Sequence, residues 1–159
     1  MGQEQTHRTT IRNESPEPLK LEAMHAALER ILLDHQAPEG EVSVLITDDA
    51  ELQRLNRTYR GIDEATDVLT FPAPETAQGQ IGDIAVSIDF ARRQAEARGV
   101  PIHEEAAMLV IHGGLHLVGY NDETPEERAE MVKRMNEVAN ACGIATDDDW
   151  SSLTHGGGP

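Results

Sequence analysis

The chain has 159 residues and a mass of 17.4 kDa, the length of one domain and enough to bury about two-thirds of the surface its unfolded form exposes. Hydrophobic residues make up 38% and charged residues 26%, and no apolar run approaches the roughly 18 residues of a membrane span, which excludes an integral membrane protein. Thirteen Lys and Arg stand against 29 Asp and Glu, a formal charge of −16, which is the wrong sign for a protein that coats DNA through a broad basic surface.

Thr6 to Asn13 alternates loosely and is rich in Thr, which predicts a short edge strand. Pro16 and Pro18 break the chain. From Glu17 to Gln36, Leu19, Met24, Ala27, Leu28, Ile31 and Leu32 share one face, predicting an amphipathic helix with His25 and His35 on its surface. Glu41 to Thr47 is a β-branched run that ends as a continuous apolar stretch, the pattern of an interior strand. Asp48 and Asp49 are candidate caps for a helix to about Tyr59, ended by Gly61 and Asp63. Asp67 to Phe71 predicts a strand closed by Pro72, Pro72 to Gln80 a loop, and Asp83 to Ile88 another strand.

A helix is expected over Asp89 to Arg98, stopped by Gly99 and Pro101, and two more over His103 to Leu117 and Thr124 to Cys142. The last is fully punctuated, with Thr124 as cap, Pro125 in the first turn, Glu127 completing a capping box and Gly143 beyond its end. One domain is expected over residues 1–146, with Asp147 to Pro159 a frayed, disordered tail. The charges are uneven. From Ile102 onward there are 11 acids and 3 bases, whereas Arg54, Arg57, Arg60, Arg92, Arg93 and Arg98 lie in the middle third, which leaves room for a local basic groove. Cys142 is the single cysteine and is read as packed rather than reactive. No secretory pattern is seen near Met1, so a reducing cytoplasm is the expected setting.

The chemistry is concentrated in Met108 to Asp122, MLVIHGGLHLVGYND, whose first ten residues are apolar apart from two histidines and two glycines. A helix that is hydrophobic nearly all round must be buried. His112 and His116 then lie one turn apart on one face, with Cβ atoms about 5–6 Å from each other, a spacing that lets two imidazoles meet one metal. The alternative is a pair of neutral core histidines, each with hydrogen-bonding partners for its polar nitrogens. Gly113 and Gly114 are costly inside a helix and point to something approaching the backbone there. Gly119 ends the helix, and the turn that follows brings Asp122 back toward the pair as a third ligand, the alternative being a solvated loop carboxylate. His103 and His155 are poor substitutes. A zinc peptidase would carry His-Glu-x-x-His with Glu as general base, but Gly113 follows His112 here.

The segment from His112 to Tyr120 resembles the signature H-G-x-L-H-L-x-G-Y-D-H of the YbeY family, zinc-dependent endoribonucleases of ribosomal RNA maturation, with nine of eleven positions in agreement. The resemblance extends to Leu55-Asn56, Tyr59-Arg60, Thr66 to Pro72 and Gly82-Asp83-Ile84, in the family's order. It implies an α+β fold: a mixed sheet of about four strands, about five helices packed over it, and a metal site at the end of a buried central helix. The family's first two metal-binding histidines fall on His112 and His116, and its functional arginine on Arg60. Its third histidine falls on Asp122, and Asn121 stands where the family usually has Asp. The implied metal set is His112, His116 and Asp122 around one Zn2+, with iron or manganese gaining weight from the harder carboxylate ligand.

The implied catalytic residues are Arg60, His112 and His116, acting on single-stranded RNA, chiefly at the 3′ end of small-subunit ribosomal RNA. The implied partners are ribosomal RNA, small-subunit ribosomal proteins and assembly factors, without DNA or membrane. Arg57, Arg92 and Arg93 are weaker candidates for tracking the RNA backbone. Thr66 and Asp67 read as support behind a ligating histidine, as a substrate contact, or as a turn and helix-dipole feature, and Asp83 is left outside the catalytic set. Two rival readings come from other classes: a metallohydrolase acting on a peptide or small phosphoester, and a non-catalytic ribosome-assembly factor.

Overall fold

In the computed structural model, which describes residues 6–151, the chain forms one mixed sheet with helices on both faces. The strands are β1 (His7–Asn13), β2 (Gly40–Thr47), β3 (Val68–Pro72) and β4 (Gly79–Ser87), in the order β1-β2-β4-β3. β1 and β4 run parallel to β2, and β3 pairs antiparallel with β4. The helices are α1 (Glu22–Asp34), α2 (Asp49–Arg60), α3 (Ile88–Arg98), α4 (Ile102–Leu117) and α5 (Pro125–Ala141). The expected α+β class, the four strands and the five helices are all present. No helix among the described residues is long and apolar enough to cross a membrane.

Side-chain alternation along the strands builds two unequal layers. Val42, Val44 and Ile46 of β2, Ile84 and Val86 of β4 and Val68 of β3 share the main core with Met24, Leu28 and Ile31 of α1 and with α4. Leu69 and Ala85 point the other way and pack with Leu52 of α2. Every residue of α4 from Glu105 to Leu115 is buried, because the helix is pressed between sheet and α1. The two glycines permit this. A Cβ on Gly113 would lie 2.8 Å from Ile84 Cγ2 and 3.2 Å from Thr70 Cγ2, and one on Gly114 would lie 2.9 Å from Leu28 Cδ2. What approaches the backbone is therefore the sheet on one side and α1 on the other.

Several boundaries differ from expectation. α1 begins at Glu22 rather than Glu17. Pro18 disfavours the helical region for Glu17, whose carbonyl accepts from Asn13 Nδ2 at 2.8 Å and whose carboxylate accepts from Arg92 at 3.1 Å. Ile88 is the first residue of α3 and not the last of a strand, because Ser87 caps that helix by accepting from Phe90 N at 3.1 Å. β4 starts at Gly79, inside the expected loop, where it pairs with Gly40. His25 and His35 are half-buried instead of lying free on the surface, one against Thr9 Oγ1 at 2.6 Å and the other against Tyr120 Oη at 3.2 Å. The capping box of α5 is formed as read, with Thr124 Oγ1 accepting from Glu127 N and Glu127 accepting from Thr124 N, each at 3.0 Å.

The tail also departs from expectation. Trp150 is buried, and Asp147 pairs with Arg98 at 2.6 Å, so packing continues past the expected boundary at residue 146. Residues 152–159, including His155, lie outside the described residues.

Candidate metal centre

α4 carries His112 and His116 on the face that meets the following turn. Gly119 takes φ of +108°, a region that favours glycine, and the chain folds back so that Tyr120 N donates to Leu115 O at 3.0 Å. Asp122 then stands opposite both rings. His112 Nε2 and His116 Nε2 are 3.2 Å apart, and Asp122 Oδ2 is 3.4 Å from each. Three ligand atoms at about 2.0–2.1 Å from a tetrahedral ion stand roughly 3.3–3.4 Å from one another. The donor set therefore fits one divalent ion with a fourth position left over. His112 is 3% exposed and Asp122 8%, whereas His116 is only half-buried, so the triangle is approached from the His116 side.

The His116 ring and the turn that carries Asp122 are both anchored. His116 Nδ1 donates to Tyr120 O at 3.0 Å. The turn is anchored by Arg128 of α5, whose Nη1 donates to Asp122 O at 3.2 Å and to Glu123 O at 3.1 Å. Tyr120 is anchored by His35 of α1, the two rings meeting edge to face at 5.3 Å. Burial drives the His112 pKa below its ordinary value; the hydrogen bond with Asp122 opposes this, His116 reinforces it, and the charge of Asp67 acts against it. A neutral imidazole is the form a metal needs. Asp67 is fully buried, its Oδ1 accepting from Val68 N at 2.8 Å and from Thr66 Oγ1 at 3.2 Å, and its charge acts on His112.

Arg60 ends α2 and is exposed. Its Nη2 donates to Thr70 O at 3.3 Å, on the strand that Gly113 packs against, so β3 links the arginine to the histidine-bearing helix. The middle-third arginines, which left room for a local basic groove, are largely paired with carboxylates. Arg54 pairs with Glu51, Arg57 with Asp63, Arg92 with Glu17 and Asp89, Arg93 with Asp49, and Arg98 with Glu105 and Asp147. Among the described residues, Arg60 is the one of the six middle-third arginines outside an ion pair. Asp83 lies mid-strand in β4 rather than at its start, and burial pushes its carboxyl pKa up, reinforced by Glu41. Cys142 is half-buried, and burial raises its thiol pKa against the opposing charge of Arg30.

Sequence reasoning missed two features of the site: the Arg128 anchor, which a surface-helix arginine does not advertise, and Trp150, whose ring centroid is 5.1 Å from that of His112.

Comparison with known proteins places these residues in context. The YbeY family model, described as Endoribonuclease YbeY, matches residues 3–143. The chain is 38% identical over 136 residues to Endoribonuclease YbeY of Bacillus licheniformis, covering 76% of this chain and 86% of that protein. It is 43% identical over 126 residues to the protein of the same name from Roseiflexus sp. strain RS-1, covering 73% and 79%. The solution structure of TM1509 from Thermotoga maritima matches with a TM-score of 0.58 at 30% identity, over 84% of this chain and 90% of that one.

Proposed function

The chain belongs to the YbeY family, and on that premise we propose that it is a zinc-dependent endoribonuclease. Its substrate is single-stranded RNA in the maturation of ribosomal RNA, chiefly at the small-subunit 3′ end. The observation that carries this reading is the triangle of His112, His116 and Asp122. Its edges of 3.2, 3.4 and 3.4 Å favour zinc, because adjacent ligands of octahedral magnesium would stand only about 2.8–3.0 Å apart. Ribosomal partners, a preference for single strands and a cytoplasmic setting belong to the same proposal, as the family resemblance implies them.

An ion held there supplies Lewis acidity toward a phosphoryl oxygen and lowers the pKa of a water at its open position. The remaining work belongs to the chain. His116 keeps its Nε2 lone pair turned inward by giving its Nδ1 proton to Tyr120 O. Asp122 adds the one negative charge among the three ligand side chains. Arg60 has a single hydrogen bond to Thr70 O, which leaves most of its five N–H donors for phosphate. A guanidinium binds two phosphate oxygens in a planar fork, and it offsets charge that builds in the transition state.

The test is cleavage of end-labelled single-stranded and duplex RNA by the full chain, with metal content measured on the same sample. Metal-dependent cleavage of the single strand that is lost with chelator and restored by zinc is the expected result. A zinc-loaded chain that leaves both RNAs intact while cleaving casein or a small phosphodiester would overturn the nuclease reading.

A further inference from the structure

Starting from His112 as a metal ligand, as assigned above, we propose that Trp150 is a positioning residue for that ligand, held by a strap from Ala145 to Trp150. The strap lies beyond residue 143, where the family match ends.

The geometry begins with Glu105 and His112, seven residues apart in α4 and therefore on one face, two turns from each other. One indole spans both. Trp150 Nε1 donates to Glu105 Oε2 at 2.8 Å, while its rings lie against the His112 imidazole at 5.1 Å and an interplanar angle of 44°. Trp150 is 3% exposed and Glu105 2%. A carboxylate buried in an otherwise apolar stretch of helix is costly unless it is paired and hydrogen-bonded. Glu105 meets that requirement through the indole N–H and through Arg98, 3.6 Å away.

Three helices tie the strap down. Arg98 of α3 bridges Glu105 to Asp147, and its guanidinium carbon stands 5.8 Å from the Trp150 ring centroid. Glu104 of α4 accepts from Ala145 N at 2.7 Å. Asn136 of α5 accepts from Asp147 N at 2.9 Å and donates to Asp147 O at 3.2 Å. With the strap so anchored, the indole walls one side of His112 and resists rotation of its ring, which keeps Nε2 in the triangle. A ring freed from that wall would have to be ordered each time metal bound, at a cost in affinity.

Trp150 is the chain's only tryptophan, so the indole emission reports this one position. In the metal-free full chain, titration with Co2+ should quench that emission to an end point of one ion per chain. Trp150→Leu, which fills space without a ring plane, should bind Zn2+ about 10–100-fold more weakly and shift the visible bands of the cobalt form. Trp150→Phe should recover most of the affinity and the parental cobalt spectrum, because it keeps the ring contact and loses only the N–H. Thermal unfolding of the metal-free variants separates lost positioning from lost folding. Parental zinc affinity and an unchanged cobalt spectrum in Trp150→Leu would overturn the proposal. So would parental emission that saturating Co2+ leaves unchanged, a measurement that needs no variant to fold. RNA is absent from every readout, so a failure of the nuclease reading would appear separately, as zinc binding without RNA cleavage.

Discussion

His116 Nδ1 lies 3.0 Å from the carbonyl oxygen of Tyr120, four residues further along the chain. A carbonyl can only accept, so Nδ1 carries the proton and Nε2 keeps its lone pair. That nitrogen is the one facing His112 and Asp122. The contact depends on the turn at Gly119, which reverses the chain within a few residues and sets both the tautomer of His116 and the position of Asp122.

Removing either ring should empty the site. His112→Ala and His116→Ala are each expected to lose stoichiometric zinc and all metal-dependent hydrolysis, because two remaining ligands do not hold a catalytic ion. Equilibrium dialysis against buffered submicromolar zinc checks this, and full metal retention in both variants would defeat the ligand assignment.

Asp122 occupies the position at which the chain leaves the family signature. Asp122→Asn keeps the shape and removes the charge, and it should weaken zinc binding by at least about tenfold. Asp122→His, which restores a three-imidazole set, should recover it. Competition with a chromophoric chelator measures both, and parental affinity in Asp122→Asn would mean that this carboxylate does not touch the ion.

Arg60 should matter for rate and not for metal. Arg60→Ala is expected to bind zinc as the parent does and to unfold at the same temperature, with single-stranded RNA cleaved about 100–1000-fold more slowly. Single-turnover kinetics on a labelled strand are the measurement, and parental rates would reduce Arg60 to its bond with Thr70.

Stability of the metal-free protein should depend on the protonation of His112. Burial holds its pKa below the ordinary 6.5, so on acidification the unfolded chain takes up this proton before the folded one does. The contribution is complete above about pH 6.5 and is lost as pH falls through the lower folded value. Denaturant midpoints measured from about pH 7 down to about pH 5 should decline, and His112→Gln should flatten the decline. An equal slope in the variant would assign the titration to other groups.

Much of this molecule is legible residue by residue. The alternation in Glu41 to Thr47, the cap at Asp48 and the capping box around Thr124 are local signals, set by side chains within a few positions of the backbone they govern. The spacing of His112 and His116 is of the same kind, since a helix alone puts residues four apart on one face. What only the tertiary structure decided are relations between distant segments. Gly113 and Gly114 are explained by Ile84 and Leu28, which no local pattern pairs with them. The middle-third arginines look like a basic groove in the sequence, yet all but Arg60 meet carboxylates, several of them more than 40 residues away. Trp150 sits in an acidic, aperiodic tail, the composition of a frayed end, and is buried because Glu105 and His112 form a receptor for an indole that exists only once α4 is in place. Local propensity acts over one or two turns, whereas burial and charge pairing are settled by whichever segments the packed core brings together.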